Sequence, residues 1–150
     1  MKKLDVAGVG KKLTGMANRI VFLTRYKDMT FDEYLQDPER QAVVERYLEV
    51  IIQAAIDINR MLIKPLRELD AQPFTNSESF TLVSELGIIS ADMVVALIPS
   101  VGFRNILAHD YDDVMPEAAY RGLQLSFTQY PEYIRQVKTY INSIEEDYEG

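Results

Sequence analysis

Apolar residues recur at spacings of three and four along most of the chain, and no segment alternates as a half-buried strand would. Leu13, Met16, Ile20, Leu23 and Tyr26 predict an amphipathic helix over about 11–28. Thr30 with Glu33 three residues later is a capping box, opening a short helix to about Leu35. Asp37-Pro38 supplies an N-cap and a first helical position for the strongest element. Its wide face of Val43, Val44, Tyr47, Leu48, Ile51, Ile52, Ala55, Ile58 and Leu62 ends before Pro65. Residues 69–76 read as a loop, and a helix over about 78–86 ends at Gly87, a left-handed cap. Residues 88–98 are helical and run into Pro99, and helix resumes behind Ser100 to 109. Asp110 to Met115 is a turn, and Pro116 opens a final helix. Its stripe is Tyr120, Leu123, Phe127, Tyr130, Ile134, Val137, Ile141 and Ile144. Pro131 lies off that stripe and should kink the helix without ending its apolar face. The expectation is an all-α bundle of four to five helices.

Composition narrows this further. With 150 residues and 47% hydrophobic content, the chain suits one compact domain with its own core. The absence of cysteine excludes disulfides, thiolate metal sites and cysteine nucleophiles. The opening MKKLDVAGVGKKL lacks the apolar run of a signal peptide, and no stretch reads as long enough for a membrane span. A cytoplasmic protein without a membrane partner is therefore expected. Most of the nine tyrosines fall on apolar stripes, as Tyr47 and Tyr130 do, which points to core or interface.

Charge is unevenly placed. The net charge of −7 argues against a generic nucleic-acid binder. Yet residues 1–27 carry Lys2, Lys3, Lys11, Lys12, Arg19, Arg25 and Lys27 against Asp5 alone. A basic arm, with residues 1–10 as a candidate extension, thus precedes an acidic body. It reads either as a solvated helix face or as a local phosphate-contacting patch.

The densest chemistry lies in VGFRNILAHDYDDV, residues 101–114, which holds the only histidine, His109. Arg104 stands five residues before it and Tyr111 two after. At about 100° per residue Arg104 and Tyr111 share a helical face, but the helix should end near His109, which leaves the His and Tyr directions open. Gly102 permits close backbone approach just before the arginine. An imidazole can move a proton near neutral pH, and a guanidinium stabilises a phosphate whose charge grows in the transition state. Asn105 adds a neutral donor and acceptor. Together these groups suit metal-independent RNA cleavage. His109 would take the ribose 2′-OH proton, Arg104 would hold the phosphorane, and a 2′,3′-cyclic phosphate would result. One imidazole cannot serve as base and acid in one step, whereas a two-fold dimer would supply two. Asp110, Asp112 and Asp113 offer a metal reading instead, and a purely structural role in hydrogen bonding at a dimer interface is the bland one.

The motif Arg104-Asn-Ile-Leu-Ala-His109-Asp-Tyr111 resembles the HepT-like branch of the HEPN superfamily, whose signature is Arg, four residues, His, any residue, Tyr. A polar residue after the arginine is typical of that superfamily, and Asn105 fits. Residues 42–63 look like the family's second long helix and residues 77–89 like its third segment. The resemblance implies a single HEPN-like domain over 1–150, an up-and-down helical bundle and a homodimer. It implies the toxin of a type VII toxin–antitoxin system, an endoribonuclease needing no cofactor or metal. On it, Arg104 and His109 are catalytic, Asn105 is supporting, and Tyr111 accepts AMP from a partner nucleotidyltransferase, MntA. The RNA target stays open between tRNA and mRNA. A non-catalytic helical nucleotide-binding or regulatory partner of a nucleotidyltransferase is the alternative.

Overall fold

The computed structural model describes residues 3–68 and 70–149, with the side chains of 146–149 also set aside; Lys2 of the basic arm and position 69 of the predicted loop lie outside the described residues. Among the described residues there are seven α-helices and no strand. They are α1 (Val6–Leu23), α2 (Phe31–Leu35), α3 (Pro38–Ile63), α4 (Asn76–Glu85), α5 (Ala91–His109), α6 (Pro116–Ser126) and α7 (Gln129–Glu149). The all-α bundle holds. The larger helix count comes from the short α2 and from division of the last predicted helix.

The long α3 is the axle. It packs against α1, α2, α4, α5 and α6, while α7 closes on α1, α5 and α6. Ile51, Ala55 and Ile58 of α3 are wholly buried, each isoleucine contributing about 1.5–3 kcal/mol relative to exposure. Asp37 caps α3 by accepting from Arg40 N at 3.1 Å, with Pro38 at its first position. The Thr30 and Glu33 box opens α2 as the sequence indicates. A second box, Thr75 with Glu78, starts α4 two residues earlier than the periodicity suggests. Gly87 closes that helix at φ 81°, and Gly87 N and Ile88 N donate to Ser84 O and Val83 O at 2.9 Å. That is a Schellman motif, and buried Ile88 and Val83 supply its apolar contact.

Three boundary expectations are corrected. The first helix begins at Val6, because Asp5 accepts from Gly8 N at 2.9 Å, and it ends at Leu23 in a tighter 3-10 turn over Thr24–Tyr26. Pro99 does not interrupt α5, which runs unbroken from Ala91 to His109. The carbonyl that Pro99 leaves without its helical donor belongs to exposed Val95, where water can satisfy it, while Leu97 and Val101 keep the turn anchored in the core. The final helix parts at Phe127 and Thr128, ahead of Pro131. Pro131 then lies in the first turn of α7, where its missing N–H would have had no helical partner. Buried Leu123, Tyr130, Ile134, Val137 and Ile141 carry the apolar face across the break.

One further expectation fails. By length and composition α5 could cross a membrane, with mean hydropathy 1.4 over 18 residues. Here it packs against α3, α4 and α7 and carries Asp92, Arg104 and Asn105.

Candidate functional site

The site is built on the C-terminal half of α5. Ser90 caps this helix by accepting from Met93 N at 3.2 Å, and Ser90 N donates to Gln136 Oε1 of α7 at 2.8 Å. Met93, Leu97, Val101 and Leu107 seat the helix in the core. Four residues of α5 are buried and Val94, Ala96, Ile98 and Phe103 pack partly against the core, but one side of the helix is left exposed. Val95, Pro99, Gly102, Ile106 and His109 are all exposed, at spacings of four, three, four and three. They form one continuous outer stripe with the imidazole at its end. Gly102 sits mid-stripe with no atom within 4 Å of where a Cβ would stand, leaving the backbone open to approach.

Arg104 lies off this stripe. It follows Leu97 and Val101 round the helix and is half-buried, reaching into a cleft between α1 and α3. Its Nη1 donates to Asn105 Oδ1 at 3.3 Å, so these two motif residues are in direct contact. Its Nε is buried and has no hydrogen-bond partner. A buried guanidinium N–H without an acceptor is destabilising in the free protein and would be satisfied by an anion.

His109 is the last residue of α5, because Asp110 leaves helical geometry at φ −131°, ψ 51°. Asp110 N still donates to Ile106 O at 2.9 Å, and a single 3-10 turn over Tyr111–Asp113 follows. Tyr111 therefore stands beyond the helix and does not share the helical face of Arg104, the direction that sequence spacing left open. It is 58% exposed. Its hydroxyl lies toward Glu45 of α3, and hydrogen bonding to that carboxylate, then its charge, hold the Tyr111 pKa above the ordinary phenol value. Glu45 Oε2 has no other hydrogen-bond partner among the described residues. Buried Tyr34 completes the group. Desolvation first, then Glu45 and Tyr111, push its pKa up.

Within the chain the motif residues do not converge on one point. Arg104 reaches into the cleft between α1 and α3 with exposed Asn105 in contact, Tyr111 lies toward Glu45, and exposed His109 has no hydrogen bond among the described residues. Asp110, Asp112 and Asp113 are exposed, and among the described residues no three His, Asp or Glu side chains are arranged to hold a metal ion. Sequence reading did not single out Glu45. Its signal was an acid three residues before Leu48 and seven before Ile52, both buried, on the core face of α3.

Comparison with known proteins matches this architecture. Residues 16–139 match the ribonuclease HepT-like family. The chain is 34% identical over 147 residues to a tRNA nuclease HepT of Aphanizomenon flos-aquae, covering 98% of this chain and 99% of that one. In fold it is similar to the cytosolic protein YutE of Bacillus subtilis, at TM-score 0.81 and 12% identity, covering 95% of this chain and 94% of that one. It is also similar to a tri-AMPylated HEPN toxin of Shewanella oneidensis, solved in complex with its MNT antitoxin. There the TM-score is 0.76 at 23% identity, covering 93% and 99% of the two chains. With the motif region inside the matched residues and a relative aligned over nearly its full length, the chain belongs to the HepT-like ribonuclease family.

Proposed function

We propose that this chain is the toxin of a type VII toxin–antitoxin pair, a cytoplasmic endoribonuclease acting on tRNA as a single HEPN-like domain over 1–150. A cognate MntA-like nucleotidyltransferase neutralises it by transferring AMP to Tyr111. The observation that carries this reading is the exposed stripe of α5, which ends in His109. An exposed stripe carrying Val95, Pro99 and Ile106 calls for a partner surface. A second copy seated on it about a two-fold axis would bring two His109 side chains to one interface.

The chemistry follows from that pairing. One His109 takes the proton of a ribose 2′-OH, and the freed oxygen attacks the adjacent phosphorus. The bond from phosphorus to the 5′ oxygen breaks, and the partner subunit's His109, protonated, donates a proton to the leaving oxygen. Arg104 offers its guanidinium to the phosphorane, whose extra negative charge it meets more strongly than the ground state. Asn105, already in contact with Arg104, holds the guanidinium in place. The products are a 2′,3′-cyclic phosphate and a 5′-OH.

Tyr111 suits the acceptor role because its side chain is largely exposed and it lies two residues from His109. An adenylate there would bring bulk and negative charge beside the imidazole, repelling RNA phosphates. The competing reading, a non-catalytic nucleotide-binding or regulatory partner, draws on His109 having no orienting hydrogen bond among the described residues.

Two measurements decide between them. Purified protein with tRNA and EDTA should yield fragments ending in cyclic phosphate, with Arg104→Ala and His109→Ala slower by about 10²-fold or more. Equal cleavage by either variant would refute the assignment. Intact mass and fragmentation after incubation with the nucleotidyltransferase, ATP and magnesium should place AMP on Tyr111. A transferase active on another residue, with Tyr111 unmodified, would refute the switch.

A further inference from the structure

The cleft into which Arg104 reaches has a volume of about 700 Å³. Five cations line it: Lys11, Lys12 and Arg19 from α1, Arg46 from α3 and Arg104 from α5. Three carboxylates also line it, and each is already engaged. Asp57 pairs with Lys12 at 3.4 Å and accepts from Gln53 at 2.8 Å. Glu49 pairs with Arg46 at 3.4 Å, and Asp5 caps α1. Among the described residues Lys11, Arg19 and Arg104 have no acidic partner within 4 Å. On a chain of net charge −7, this is a local positive cleft.

Gly15 makes room for a cation in the floor. Gly15 lies between the two outer cations, and Arg19 folds back over it, donating to Gly15 O at 3.2 Å. A Cβ at Gly15 would stand 3.2 Å from that guanidinium. Lys11 and Arg19 are eight residues apart, roughly 12 Å along the helix axis. At the inner end, the buried Arg104 Nε has no acceptor.

Resting on the ribonuclease reading above, we infer that this cleft is the track for the phosphate backbone of the RNA substrate. Lys11 and Arg19 hold flanking phosphates, and Arg104 takes the one nearest the cleavage chemistry. The cleft is about the size that encloses a drug-sized ligand, so it takes a short single-stranded stretch rather than a duplex. The basic N-terminal segment is then a functional surface, and its effect is local because the acidic body repels RNA elsewhere.

The test is fluorescence anisotropy with a labelled single-stranded RNA oligonucleotide in EDTA, on a His109→Ala background that blocks cleavage. Lys11→Gln with Arg19→Gln should weaken binding about tenfold or more and flatten the log–log salt slope by about 1.4, two phosphate contacts at about 0.7 each. Lys138→Gln, on α7 and outside the cleft, should leave both unchanged. Unaltered affinity and slope in the double variant would overturn the inference while leaving the nuclease assignment standing. So would unaltered RNA binding with loss of the nucleotidyltransferase partner, which would give the cleft to a protein. Binding without cleavage by the unmutated protein would overturn the catalytic assignment and leave the track intact. Failure of the parent protein to bind RNA would overturn both.

Discussion

Tyr133 and Tyr130 are both buried on α7, three residues apart, and the structure assigns them opposite effects on removal of the hydroxyl. The Tyr133 hydroxyl donates to Asn59 Oδ1 at 2.6 Å and lies 3.1 Å from Ala55 O, both on α3. Asn59 Nδ2 in turn donates to Ser79 Oγ at 3.1 Å, and Ser79 Oγ donates to Asn76 O at 2.6 Å. This relay ties α7, α3 and α4 through the core that seats α5. Tyr133→Phe leaves Asn59 Oδ1 buried without its donor, a loss of about 1–3 kcal/mol. For a chain of this size that is about 2–4 °C of Tm per kcal/mol, hence a fall of about 4–8 °C near the middle of that range. The Tyr130 hydroxyl has no hydrogen bond of standard geometry, although Ser100 of α5 lies near enough to offset part of the rise that burial imposes on its pKa. Tyr130→Phe removes a poorly satisfied polar atom and should be neutral or stabilising by up to about 1 kcal/mol. Urea denaturation followed by circular dichroism, at one fixed protein concentration, reads both. Equal losses, or a larger loss for Tyr130→Phe, would refute the relay as a source of stability.

Other consequences concern charge and backbone. Glu45→Gln removes the carboxylate that raises the Tyr111 and Tyr34 pKa values, so both should fall in an alkaline titration of labelled tyrosine; an unchanged Tyr111 would show that Glu45 does not face it. Because its folded pKa is raised, Tyr111 contributes stability that is present below the ordinary phenol pKa of about 10 and lost as pH rises through the folded value. Glu132 is lowered to about 2, first by its hydrogen bond to Arg135 and then by that to Gln136. Its contribution is present above the unfolded carboxylate pKa and lost as pH falls toward about 2. A carboxylate resonance titrating at an ordinary value would contradict the pairing. Gly87→Ala places a side chain at φ 81° and should cost about 1–2 kcal/mol in the same urea assay; a neutral result would mean the α4 cap can reform otherwise.

Local rules carried most of the fold. Thr30, Asp37, Gly87 and Pro116 mark their helix ends because caps and fixed φ values act within a turn of the chain, without need of a partner. The apolar stripes likewise reveal which face each helix buries. The motif from Arg104 to Tyr111 was legible as a run of residue types, and its resemblance to the HepT-like family was carried by those same residues. What lay beyond the sequence was where that run points. Whether Pro99 breaks α5 depended on water reaching an exposed carbonyl at Val95 and on Leu97 and Val101 finding the core. The direction of Tyr111 depended on one 3-10 turn and on Glu45, sixty-six positions earlier in the chain. The neighbourhood of Arg104 with Lys11 and Arg19 arose only when α1 and α5 both packed against α3. Periodicity and capping are properties of neighbours along the chain, so the sequence determined the helices; the site joins residues from α1, α3 and α5, and only their packing decided it.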